Sequence, residues 1–152
     1  MRLEVQERRL DELAIEIGRV DDLELKSHLS KYLCILISGF IENYIKELVL
    51  NLHERNCKKE ISKFITSKVR GLTNLDDPKL IAFLETFNEE WARRYKAERN
   101  DEMEAALNNI YAQRNAIAHG NASNSNITYL SIVKYFTLIK ELLNILKAII
   151  KK

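Results

Sequence analysis

Between Asp22 and Arg55 apolar residues return every three or four positions: Leu25, Leu29, Leu33, Leu36, Ile37, Phe40, Tyr44, Leu48 and Leu52. That spacing is the 3.6-residue repeat of an α-helix, and a helix of this length acts as a beam around which the remaining chain must pack. Asp21 or Asp22 supplies its N-cap. From Leu33 to Ile41 the stretch is apolar nearly all round, so this part of the beam meets neighbours on more than one side. Gly39, within it, would let another helix approach closely.

The neighbours are helical too. One Pro and four Gly in 152 residues leave little turn material, and with 46% hydrophobic and 30% charged residues the chain reads as all-α. The length suits one domain, 1–152, with a core of its own. A first amphipathic helix covers about 2 to 17 and stops at Gly18; a shorter one covers about 56 to 70 and stops at Gly71. Asp77-Pro78 opens another, with Asp77 as N-cap and Pro78 at the first helical position. The basic run Arg93, Arg94, Lys96, Arg99 suggests a loop or broken helix, beside Trp91, which reads as a core anchor against Phe87. Asn100 or Asp101 caps the next helix, and from Thr128 a last helix runs to the C-terminus. Its face of Leu130, Val133, Phe136, Ile139, Leu142 and Leu146 is widened by Ile132, Leu138, Ile145 and Ile149, enough for a second buried surface such as a subunit contact.

Several function classes drop out. A formal net charge of +2 gives no bulk attraction for polyanions, so nucleic-acid binding would need local patches. The apolar run Tyr32 to Ile41 is about half the roughly 18 to 20 residues of a membrane span. The charged N-terminus lacks the pattern of a signal peptide, and two cysteines make no disulfide framework, so a cytoplasmic protein is expected. No Gly-rich phosphate loop, Gly-x-Ser-x-Gly elbow or His-Glu-x-x-His helix is present. His53 and Cys57 lie four apart, but two ligands make no metal site, and no cofactor is expected.

One stretch looks like chemistry. In Gln113-Arg114-Asn115-Ala116-Ile117-Ala118-His119-Gly120, the helical series Met103, Leu107, Ile110, Ile117 has Arg114 in an apolar slot. A buried, unpartnered guanidinium costs several kcal/mol, so Arg114 calls for a carboxylate, a second chain or an anionic ligand. Glu42 and Lys46, at four-residue spacing, read first as a surface pair; the alternative is that Glu42 or Asn43 faces inward and meets Arg114. His119 falls in the last turn, Asn115 one turn before it, and Gly120 ends the helix. The stretch from Arg55 to Arg70 is the most basic in the chain, and Lys58, Lys59 and Lys63 are either a solvated face or a patch that tracks RNA phosphates.

Arg114-Asn115-x-x-x-His119, late on a helix of a small all-α domain, resembles the arginine-x4-to-6-histidine motif of HEPN domains. Ile37-Ser38-Gly39-Phe40-Ile41-Glu42-Asn43, Phe87-Asn88-Glu89-Glu90-Trp91 and Ile127-Thr128 before the final helix resemble the RiboL-PSP branch of that superfamily, over essentially the whole chain. The resemblance implies a HEPN-like bundle that forms a symmetric homodimer, with two motifs lining one cleft. It implies metal-independent endoribonuclease activity in a toxin or defence system, with an antitoxin or defence partner. Arg114 would stabilise phosphoryl charge, Asn115 would orient the His119 ring or donate to phosphate, and His119 would move a proton at the RNA 2′-hydroxyl. A helix C-terminus favours the imidazolium, so whether His119 is acid or base stays open. Related toxins silenced through a tyrosine two positions after the histidine differ here, where that residue is Asn121. The alternative is a non-catalytic RNA- or nucleotide-binding or dimerisation module of a larger complex.

Overall fold

The computed structural model describes residues 2–53, 57–121 and 125–151, and among them there are seven helices and no strand. They are α1 (Arg2–Gly18), α2 (Leu23–His53), α3 (Lys59–Arg70), α4 (Asp77–Phe87), α5 (Glu89–Glu98), α6 (Asp101–Ala118) and α7 (Tyr129–Ile150). The all-α expectation holds. The predicted end of the long helix near Arg55 lies outside the described residues.

α2 is the beam that its periodicity requires: α1, α3, α6 and α7 all pack on it. Its all-round apolar middle is why, since Leu33, Cys34, Ile37, Phe40, Ile41 and Ile45 are all buried. Phe40 meets Tyr44 and Phe136 edge-on at 5.7 and 6.1 Å, geometry worth about 0.5–1.5 kcal/mol per pair beyond area burial. α7 closes the core with Ile132, Phe136, Ile139, Leu142, Leu143, Leu146 and Ile149.

The helix starts follow local capping chemistry. Asp22 Oδ1 accepts from the Leu25 N–H at 2.8 Å, Asn100 Oδ1 from Met103 N–H at 2.8 Å, and Thr128 forms a reciprocal capping box with Ser131. Gly18 ends α1 as expected, for a reason of space. A Cβ there would strike the Tyr129 hydroxyl, which donates to the Ala14 carbonyl at 2.9 Å and ties α7 to α1.

Three readings are corrected or narrowed. Asp77 is not the cap of α4: Asp76 takes that role, accepting from Lys79 N–H at 2.9 Å. Asp77, one residue in, turns inward and is 2% exposed. Tyr95 Oη donates to its Oδ1 at 2.6 Å, Arg99 Nε to Oδ1 and Nη2 to Oδ2 at 2.7 Å each, and its own N–H donates to Asn108 Oδ1 at 2.9 Å. The second narrows an alternative: of the loop or broken helix expected around Trp91, the chain forms the broken helix, with α5 set off from α4 at Asn88. Only Asn88 is extended, and its Oδ1 caps α5 by accepting from Glu90 N–H. The basic side chains pair with acids: Arg93 with Glu90, Arg94 with Glu98, Lys96 with Glu85 and Arg99 with Asp77. Trp91 is buried, the core anchor that was expected. Thirdly, among the described residues no helix approaches Gly39 closely, since a Cβ there would meet nothing within 4 Å. Gly39 shares a face of α2 with the exposed Tyr32 and Ile35.

Candidate active site

The motif helix is anchored at its start and presented at its end. Asp101, Glu102 and Glu104 sit in the first turn of α6, where the helix dipole favours anions. Met103, Ala106, Leu107 and Ile110 are buried, and the Ile110 carbonyl lies 3.9 Å from Cys34 Sγ, placing α6 beside the middle of α2. Beyond Ile110 the burial fades. Arg114, Asn115 and Ile117 are half-buried, and Ala118, His119 and Gly120 are exposed.

Arg114 therefore sits on the rim of the core and not inside it. Its Nη1 is 3.4 Å from Asn115 Oδ1, and among the described residues no carboxylate pairs with it. Five N–H donors with one long contact are a poor end state for a guanidinium and a good one for receiving an oxyanion.

His119 caps the C-terminus of α6. Its N–H donates to the Asn115 carbonyl at 3.0 Å, the Gly120 N–H to Ile117 O at 3.4 Å, and the Asn121 N–H to Ala116 O at 2.9 Å. With Gly120 at φ +77° these bonds make a Schellman turn, which terminates the helix and holds the His119 backbone while its exposed ring faces outward. Gln113 Oε1 accepts from Ser125 Oγ at 2.6 Å, tying the chain that leads into α7 back to the motif helix; residues 122–124 of the predicted polar loop lie outside the described residues.

Glu42 comes to the site by a different route from the one expected. It does not bond Arg114; its Oε1 accepts from the Asn74 N–H at 2.7 Å, and Asn74 Nδ2 donates to Asn115 Oδ1 at 2.7 Å. Asn43 is exposed on α2 and makes no hydrogen bond to the motif. Sequence reasoning missed Asn74. Its signal was faint: an asparagine between two helices, a residue that tolerates φ > 0, and here φ is +55°.

Lys58, Lys59 and Lys63 are exposed at the start of α3, and among the described residues none has a carboxylate partner. The same helix bears Arg70, which with Ser62, Lys63, Thr66 and Ser67 lines an open depression. His53 Nδ1 lies 3.9 Å from Cys57 Sγ, and its ring stacks on Phe87; among the described residues no group of three His, Cys, Asp or Glu side chains could hold a metal ion. No described helix is long and apolar enough to cross a membrane.

In comparisons with known proteins, the family model described as RiboL-PSP-HEPN matches residues 3–152. No curated protein and no solved structure gave a significant match.

Proposed function

The chain belongs to the RiboL-PSP-HEPN family of HEPN domains, and from that premise we propose that it is a metal-independent endoribonuclease of a toxin or defence system. The observation that carries this reading is the state of Arg114: a rim guanidinium with no carboxylate partner among the described residues, next to Asn115 and at motif spacing from an exposed His119. In the reaction the ribose 2′-oxygen attacks the adjacent phosphorus. A 2′-O–P bond forms and the P–O5′ bond breaks, leaving a 2′,3′-cyclic phosphate and a 5′-hydroxyl. The 2′-hydroxyl proton goes to a base and a proton is returned to O5′; His119 is one of these two groups. Arg114 and Asn115 donate to the phosphoryl oxygens, whose charge rises in the transition state.

The motif of one copy carries one histidine for two proton transfers, so the proposed site is composite, with a second copy bringing its own Arg114, Asn115 and His119. The exposed Tyr32 and Ile35 beside the open Gly39 supply an apolar strip of α2 for such a contact. Lys58, Lys59 and Lys63 track the RNA backbone without reading its sequence. Control by modification of a tyrosine after the histidine is not part of the reading, since Asn121 holds that place.

The test is cleavage of single-stranded RNA in EDTA, with the product ends identified. Cyclic phosphate ends are expected, together with a loss of about two or more orders of magnitude in rate for His119→Ala and for Arg114→Ala. Full activity in both variants, or a strict metal requirement, would sink the proposal. Salt-sensitive RNA binding with no product under any condition would favour a non-catalytic binding module instead.

A further inference from the structure

Asn74 stands out as a non-glycine residue in the left-handed region whose side chain reaches the motif helix. Such a conformation persists only where surroundings hold it. Three contacts do so here: its N–H donates to Glu42 Oε1 at 2.7 Å, its carbonyl accepts from Lys79 Nζ at 3.3 Å, and its Nδ2 donates to Asn115 Oδ1 at 2.7 Å. The Asn74 Oδ1 is buried and has no donor, so its carboxamide is satisfied only through the bond to Asn115.

The consequence falls on Asn115. An asparagine carboxamide is an acceptor at one end and a donor at the other, and which end faces a ligand decides what it recognises. Asn115 Oδ1 takes two donors from the protein, Asn74 Nδ2 and, more weakly, Arg114 Nη1 at 3.4 Å. Its Nδ2 makes no hydrogen bond among the described residues and is not buried. The protein has thus engaged the acceptor and left the donor without a hydrogen bond among the described residues.

We propose that Asn74, held by Glu42, is a positioning residue that locks the Asn115 carboxamide with its NH2 group toward the substrate. In this arrangement Asn115 donates, beside Arg114, to an acceptor such as a phosphate oxygen. It does not accept from a ribose hydroxyl or from the His119 ring. As a statement about rate, the inference rests on the ribonuclease reading; as a statement about orientation, it does not.

Two substitutions separate the lock from the fold. Asn74→Gly keeps the backbone N–H bonded to Glu42 and suits φ +55°, but removes the side chain. Asn74→Asp also tolerates this backbone but cannot donate, so Asn115 must turn its NH2 inward to reach it. We expect unchanged thermal stability in Asn74→Gly with about a tenfold loss in kcat, the scale of one charge-assisted hydrogen bond, and at least as large a loss in Asn74→Asp. In an Asn115→Ala background neither change should lower kcat further. Independently of turnover, the Asn115 side-chain NH2 signals of a 15N-labelled His119→Ala protein should shift on adding an oligonucleotide with 2′-deoxy linkages, and should not in the Asn74→Asp form. If the wild-type protein cleaves nothing while this shift pattern holds, the ribonuclease reading fails and the lock stands. Full kcat in Asn74→Gly, additive losses with Asn115→Ala, or Asn115 signals indifferent to the oligonucleotide would overturn the lock.

Discussion

Arg99→Met is the substitution whose cost the structure specifies most closely. Arg99 and Asp77 have side chains only 13% and 3% exposed, and the guanidinium grips the carboxylate with two bonds of 2.7 Å. It also reaches Glu104 at 3.3 Å and lies over the Tyr95 ring at 5.4 Å. Met fills most of the volume, so packing loss is small and electrostatics decide the outcome. Asp77 would be left buried with the Tyr95 hydroxyl as its remaining side-chain donor. Removing one partner of a buried pair costs about 3–5 kcal/mol, mostly because the other charge is stranded. Domains of this size are stable by about 5–15 kcal/mol, so roughly a fifth or more of the stability is at stake, with a fall in Tm of about 10 °C. Urea titrations of the wild type, Arg99→Met, Asp77→Asn and the double variant close a cycle. Asp77→Asn removes the buried charge, so the double variant should lie well above the sum of the singles, by about 1.5 kcal/mol or more. A loss below about 1 kcal/mol for Arg99→Met, or additive effects, would refute the argument that this pair holds α4 on α5 and α6.

Two further outcomes follow from close packing and burial. Gly18→Ala should destabilise by about 1–3 kcal/mol, because its methyl group takes the place of the Tyr129 hydroxyl; adding Tyr129→Phe should recover part of that, as read by thermal denaturation. Burial pushes the Cys34 thiol from 9.0 up to about 12. The thiol is neutral in both states below pH 9, so its contribution is fully present there. Between pH 9 and about 12 only the unfolded chain ionises, and stability should fall by up to about 4 kcal/mol. Denaturant titrations of Cys34→Ala across that range should show a shallower decline than the wild type, and an equal slope would contradict the assignment.

The parts of this protein that were legible in advance are those decided within a few residues. The run from Leu25 to Leu52 had to be a helix because its period admits nothing else, and Asp22, Asn100 and Thr128 cap helices because their side chains reach N–H groups three positions away. The choice between Asp76 and Asp77 was not of that kind. Both satisfy the capping rule locally, and what separates them is Arg99, 22 residues on. The helix α5 was obscured by its charge, although Glu90 with Arg93 and Arg94 with Glu98 stand at the spacings that helices pair. In the candidate site, Arg114 was visible as a break in an apolar series and Gly120 as a helix stop. Asn74 was not, since its bond to Asn115 spans 41 residues and no periodicity marks it.

The distribution of paired and unpaired cations links the fold to the proposed chemistry. With a net charge of only +2, the chain cannot draw a polyanion by bulk charge. Arg93, Arg94, Lys96 and Arg99, the basic run after Trp91, are matched to Glu90, Glu98, Glu85 and Asp77 and offer little net attraction. Lys58, Lys59, Lys63 and Arg114 have no carboxylate among the described residues. Lys58, Lys59 and Lys63 stand at the start of α3, which packs on α2, and the link that follows the far end of α3 carries Asn74 to the motif helix. On the proposed reading, RNA phosphates meet donors from Arg114 and Asn115 at the end of α6, and the lysines at the start of α3 are a separate place for the backbone to be held. On that reading cations and amide donors hold the RNA backbone and not its base sequence, and any preference for particular bases has to come from other residues.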